Sequence, residues 1–165
     1  MQIDIRTVIG ADNSELEFEY DTPSPEAIPD VRFGENMHIS GKVCNKAGYM
    51  TVGATVKLPY STHCARCFKE ISGVFTFDFE KPIAAKGILS DEDTDDYLLI
   101  EKSSIDPDSA IREAILLDFP MIFLCKNDCR GLCAKCGADL NDGDCSCPKK
   151  EIDPRLAILG KLLDK

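Results

Sequence analysis

Phe75-Thr76-Phe77-Asp78-Phe79-Glu80 alternates an aromatic ring with a polar side chain at every step. Successive side chains of an extended strand point to opposite faces, so the three rings share one face and Thr76, Asp78 and Glu80 the other. A helical period would scatter the rings around its circumference. Upstream, Val52, Thr55, Val56 and Leu58 suggest a second strand, and Met37, Ile39 and Val43 a third. Short strands joined by short turns favour antiparallel pairing, so Met37 to Ile83 reads as an antiparallel β meander. Nearer the start, Ile3 and Ile5, then Leu16, Phe18 and Tyr20, alternate with polar residues, and residues 1–20 read as extended. Asp21 to Asp30 carries Pro23, Pro25 and Pro29 and reads as a loop.

Downstream, Asp91 to Asp96 is a run of charge that repels itself and reads as a solvated loop. Tyr97-Leu98-Leu99-Ile100 returns as a short strand. Asp106-Pro107 then opens a helix, because Asp106 can accept free amides and proline needs no donor in the first turn. Ile111, Ala114 and Ile115 share a face of that helix, with Asp118 at the same spacing, and Pro120 ends it. Ile152-Asp153-Pro154-Arg155 repeats the start signal before Leu156, Leu159 and Leu163, a second short helix that must dock on something to persist. The fold class expected is α+β: an antiparallel β meander, two short helices and a C-terminal cysteine-rich zinc knuckle. The boundary falls between a body over 1–124 and a cysteine-rich segment with its helix over 125–165.

At 165 residues the chain can bury a real core. No run of ~18 apolar residues suggests a membrane span, and the start lacks the basic and apolar blocks of a signal peptide. A cytoplasmic setting is expected, where thiols stay reduced. Net charge is −10, unevenly spread: residues 1–124 hold 11 Lys/Arg against 22 Asp/Glu, and residues 125–165 hold 8 against 7. Phosphate backbones attract basic surfaces, so the acidic bulk repels RNA and any RNA contact must be local.

Nine cysteines are many for a reducing compartment, where close pairs point to metal ligation before disulfides. Six fall within the 23 positions from Cys125 to Cys147. Cys133-x2-Cys136-Gly137 lets two sulfurs reach one ion from a tight turn, with glycine supplying a backbone conformation others resist. Asn141-Asp142-Gly143 makes a further turn that returns Cys145 and Cys147. These four give a closed tetrahedral site for zinc. Cys125 and Cys129 remain, as do Cys64 and Cys67; pairing these halves would make a second site joining the sheet to the segment after the first helix. Two structural zinc ions are therefore expected. Cys64-x2-Cys67 could instead be a redox pair, but such pairs usually open a helix and its flanks read as strands. An iron–sulfur cluster also takes four cysteines, though the tight knuckles and Cys145-x-Cys147 suit zinc better. Cys44, alone in a strand pattern, reads as a buried apolar residue. His38 and His63 read as ordinary polar residues. All-cysteine sites are closed, and no nucleophile motif or phosphate-binding glycine loop accompanies them, so no enzyme and no small-molecule substrate are expected.

Cys64-Ala65-Arg66-Cys67, Asp106-Pro107 with its helix, Cys129-Arg130-Gly131-Leu132-Cys133-Ala134-Lys135-Cys136-Gly137-Ala138-Asp139-Leu140-Asn141, Cys145-Ser146-Cys147 and Ile152-Asp153-Pro154-Arg155-Leu156 together resemble the YceD family of large ribosomal RNA subunit accumulation proteins. The likeness runs from about residue 35 onward and is most specific in the cysteine-rich stretch. Asp139 departs from it, standing where asparagine is usual. The resemblance implies a non-enzymatic role in accumulation of large-subunit ribosomal RNA. It also implies that Cys64 and Cys67 are the broader family feature and the 133–147 knuckle an addition. Expected partners are large-subunit ribosomal RNA, through Lys126, Arg130, Lys135, Lys149, Lys150 and Arg155, or a basic ribosomal protein, through the acidic body. A zinc-dependent nucleic-acid or protein-binding module in transcription, and a thiol redox protein, are the alternatives.

Overall fold

Two strands of 15 and 16 residues, β5 (Tyr49–His63) and β6 (Glu70–Ala85), pair antiparallel along their whole length and form the backbone of the protein. A computed structural model describes residues 1–26, 28–85 and 96–147. Before that hairpin come β1 (Ile3–Asp4), α1 (Arg6–Ile9), β2 (Ser14–Pro23), β3 (Val31–Phe33) and β4 (Asn36–Lys46). After it come β7 (Leu98–Ile100), β8 (Ser104–Ile105) and α2 (Asp108–Asp118). The described chain is thus mostly β with two helices. The main sheet has the order β2-β4-β5-β6-β7, with β3 added on β5, and β1 pairs β8 in a two-stranded sheet.

Local chemistry sets the registers. Between β4 and β5, Ala47 and Gly48 both have positive φ, 54° and 83°, as a two-residue mirror-image turn requires. Asp12 accepts the Ala47 amide at 2.5 Å and Asn45 accepts that of Gly48 at 3.0 Å, so the strained alanine is held from two sides. That turn fixes Val43 opposite Val52 and Ile39 opposite Val56. Gly41 is required where β4 meets β5, since a Cβ there would stand 2.3 Å from the Gly53 carbonyl oxygen. The inner face then carries Met37, Ile39, Val43, Val52, Val56 and Leu58, all fully buried, and α2 covers it with Ile111 and Ile115. Phe75, Phe77 and Phe79 line the same face; Phe119 meets Phe33, Tyr60 and Phe75 edge-on at 5.0–5.6 Å.

The structure departs from the sequence reading in several places. Residues 1–20 are not uniformly extended: α1 interrupts them, buries Val8, and is anchored where Asn45 Nδ2 donates to the Val8 carbonyl at 2.8 Å. Strand β2 runs on through Thr22 and Pro23 into the stretch read as loop; proline is tolerated there because β2 is an edge. β3 follows directly after that stretch. The sheet is not wholly antiparallel either. β7 pairs parallel with β6, Ile83 opposite Leu98, and the residues between them supply the dozen or so that a parallel crossover needs. Helix α2 starts one residue later than expected, with Pro107 at its cap and Asp106 Oδ1 accepting the Asp108 amide at 3.1 Å. It ends at Asp118 because Phe119, preceding Pro120, is forced extended (ψ 127°). Residues 91–95 of the acidic run and the helix expected from Ile152 lie outside the described residues. Among the described residues no helix is long and apolar enough to cross a membrane.

Candidate metal centre

The β5–β6 hairpin closes through six residues, Cys64 to Lys69, so its tip presents two sulfurs. The Cys64 amide donates to the Lys69 carbonyl at 2.8 Å and the Phe68 amide to the Cys64 carbonyl at 2.9 Å. An identical pair of bonds builds the second turn: Cys133 N to Ala138 O at 2.8 Å and Gly137 N to Cys133 O at 2.9 Å. Both turns need positive φ after their second cysteine. Gly137 supplies it at 73°, and Phe68 adopts it at 58° with its side chain exposed.

Helix α2 delivers the chain back to the hairpin tip. Phe123 O accepts the Ala65 amide at 2.9 Å, Arg66 O accepts the Leu132 amide at 3.1 Å, and Arg66 Nη1 donates to Cys129 O at 2.7 Å. Gly131 (φ 74°) is needed at this approach, since a Cβ would stand 2.9 Å from Arg66 O. The result gathers Cys64, Cys67, Cys125 and Cys129 so that their sulfurs lie within 4.8 Å of one another. Cys64 Sγ is 3.7 Å from Cys129 Sγ, and Cys67 Sγ is 3.5 Å from Cys125 Sγ. Cys64, Cys67 and Cys129 are buried under Ile71 and Leu124, and Cys125 closes the set from the solvent side. Cys133, Cys136, Cys145 and Cys147 form a second set within the same 4.8 Å, nearer the surface. All eight cysteines named from the sequence as ligands fall in these two sets.

The spacing suits an ion. Sulfurs about 2.3 Å from a tetrahedral zinc lie about 3.8 Å apart. Proton affinities point the same way. Burial tends to raise the Cys64 thiol, but amides of Cys125, Arg66 and Cys67 outweigh it and hold it down to about 6. Burial, then the neighbouring sulfurs of Cys67, Cys129 and Cys64, push Cys125 up to about 12. In the second set, amides of Cys136 and Lys135 hold Cys133 down to about 6, while the Cys136 sulfur and burial push Cys147 up to about 12. Cys64 and Cys129 in the first set and Cys133 in the second are thus prepared as thiolates beside sulfurs that resist ionising. A divalent cation at the centre would permit all four to ionise.

Asn141, which the sequence reading placed only in a turn, supports the first set. Its Nδ2 donates to Cys129 Sγ at 3.4 Å and to Asp139 Oδ1 at 2.6 Å, and its Oδ1 accepts the Arg130 amide at 2.9 Å. Such outer donors orient thiolates and temper their charge. Only the meeting of the two segments reveals this role. Cys44 differs from expectation: it lies half-buried on the outer face of β4, its sulfur 3.6 Å from Glu15 Oε1, because Val43 takes the inward position. His63 is exposed at the end of β5 and joins neither set. Lys126, Arg130 and Lys135 are at the surface near the cysteines, with Arg130 paired to Asp144; Lys149, Lys150 and Arg155 lie outside the described residues.

The family model described as Large ribosomal RNA subunit accumulation protein YceD matches residues 52–163. An uncharacterized protein of Mycobacterium leprae is 27% identical over 81% of this chain and 62% of its own length. Uncharacterized protein YlbN of Bacillus subtilis is 26% identical over 81% of this chain and 78% of its own. A protein of Arabidopsis thaliana named Large ribosomal RNA subunit accumulation protein YCED homolog 1, chloroplastic, is 35% identical over 39% of this chain and 20% of its own. The chain spans 55–62% of the mycobacterial relatives it matches. No solved structure matches it.

Proposed function

The chain belongs to the YceD family of large ribosomal RNA subunit accumulation proteins, and from that premise we propose that it is a non-enzymatic zinc-binding factor supporting accumulation of large-subunit ribosomal RNA. The observation that carries the reading is the family match over residues 52–163, which contains every cysteine of the two sets. Zinc is favoured over an iron–sulfur cluster by the closed four-sulfur sets, and in the first of them sulfur separations of 3.5 and 3.7 Å fit a single tetrahedral ion. In the first set the ion would join Cys64, Cys67, Cys125 and Cys129, and in the second Cys133, Cys136, Cys145 and Cys147. Eight sulfurs leave neither ion an open position, which favours a structural role over catalysis. The ions would fix the hairpin tip and the segment following α2 as one surface. That surface, or the acidic sheet, would engage large-subunit ribosomal RNA or a basic ribosomal protein in the cytoplasm.

Depleting the protein in cells and measuring the ratio of large- to small-subunit ribosomal RNA tests this. We expect the ratio to fall. An unchanged ratio with no accumulating precursor overturns the assembly reading and favours a zinc module acting elsewhere.

A further inference from the structure

The main sheet ends in an edge on which no further strand pairs among the described residues, and its last residue is engaged where Arg112 Nη2 donates to Pro23 O at 2.5 Å. β2 is ten residues long and pairs only with β4. In an antiparallel edge strand, alternate residues direct both N–H and C=O away from the sheet. Proteins usually protect such edges by shortening, bulging, proline interruption or charged side chains, and charge is the device β2 uses, one that a basic strand would neutralise. β2 is regular from Ser14 to Pro23, in unbroken register with β4, and its proline is the last residue.

Its two faces specify what can pair with it. Outward stand Glu15, Glu17, Glu19 and Asp21, all exposed. Lys42 Nζ meets Glu15 at 3.1 Å, and His38 meets Glu19 at 3.3 Å and Asp21 at 2.9 Å. Glu17 has no ion pair among the described residues. Inward stand Leu16 and Phe18, which pack on the core yet stay half-exposed, unlike the buried Tyr20 and Thr22. A hollow lined by Glu17, Phe18, Glu19, Ser40, Gly41 and Lys42 lies over the seam between β2 and β4. A second copy of β2 is disfavoured, because antiparallel pairing would set carboxylate against carboxylate on the outward face. RNA is disfavoured by the same charges.

We propose that β2 receives an added antiparallel strand from a basic polypeptide, with lysine or arginine alternating with apolar residues. Its basic side chains meet Glu15, Glu17, Glu19 and Asp21. Its apolar ones complete the burial of Leu16 and Phe18, and its main chain satisfies the open edge. Charge sets the choice of partner and main-chain pairing sets the orientation. The inference rests on the proposed function only in taking that polypeptide from a basic ribosomal protein; the edge geometry stands without it.

Hydrogen exchange on the full chain tests the inference, using a ten-residue peptide of alternating lysine and valine. We expect exchange at alternate amides of residues 15–22 to slow at least tenfold. N-methylating every second residue of the peptide should abolish the effect, and Glu17→Lys with Glu19→Lys should weaken binding at least tenfold while β5 and β6 keep their exchange protection in the free chain. Four outcomes each overturn the proposal. These are equal binding of the N-methylated peptide, protection confined to other strands, protection of these amides already in the free chain, and protection by oligouridylate RNA instead. Because no ribosome enters the assay, its failure leaves the depletion test above intact, and the reverse also holds.

Discussion

Phe68 holds a left-handed backbone, φ 58°, with its ring 70% exposed, in a turn whose counterpart uses Gly137. A β-carbon in that region costs about 1–2 kcal/mol, and an exposed ring recovers little of it by burial. Phe68→Gly should therefore raise stability by roughly 1 kcal/mol and Gly137→Ala lower it by a similar amount. Urea unfolding of the two variants checks the pair of signs; a destabilised Phe68→Gly would mean the ring packs on something. Asp108 is a second local pivot. Burial raises its carboxyl, but hydrogen bonds from the Met1 amine, Tyr20 Oη (2.7 Å) and Thr22 Oγ1 (3.0 Å) outweigh that and hold it below the usual carboxylate range. Its depressed value means the ionised form favours folding. That contribution is complete above the ordinary carboxylate value of about 4 and disappears as pH falls through the lower folded value. Asp108→Asn should cost about 1–2 kcal/mol at pH 7, with the gap to the parent chain closing below pH ~4. A gap independent of pH would point to lost packing instead.

Among the elements, the β5–β6 hairpin carries the first sulfur set at its tip, whereas the second is confined to 133–147. Cys64→Ser should thus loosen distant strands, raising exchange in β5, β6 and residues 123–132, while Cys133→Ser should loosen mainly 130–147. Hydrogen exchange that is equally local in both variants would argue against a cross-chain metal site. The long strands were legible because alternation over about six residues already has one extended reading: Leu16, Phe18 and Tyr20 in β2, and Phe75, Phe77 and Phe79 in β6. Helix α1 was not, because four residues are shorter than the window in which Ile3 and Ile5 suggest extension. The parallel seat of β7 was not either, since three residues carry no record of their partner. The cysteine sets were legible through four close pairs, their members separated by one to three residues. Asn141 and Gly131 were not, because their tasks arise only where residues 129–141 meet the hairpin tip.

For the molecule as a whole, the two sets take the place of apolar packing at one end of the sheet. The apolar core ends near Phe123, and beyond it Cys64, Cys67 and Cys129 are the buried residues. Protein purified without added metal should contain two zinc equivalents by elemental analysis. Stripping them should cost several kcal/mol and lower the melting temperature by roughly 10 °C or more, at about 2–4 °C per kcal/mol. One equivalent, or an iron-dependent absorption near ~400 nm, would refute the assignment. The sequence separation inside the first set, 58 residues from Cys67 to Cys125 and 65 from Cys64 to Cys129, also sets a timetable. At about 5–20 residues per second of synthesis, the hairpin thiols wait roughly 3–13 s before their partners are made. During that interval a half-built cage of two sulfurs faces the cell. A newborn chain is then open to oxidants, and the first site, if it holds the proposed ion, closes only once Cys125 and Cys129 have been made.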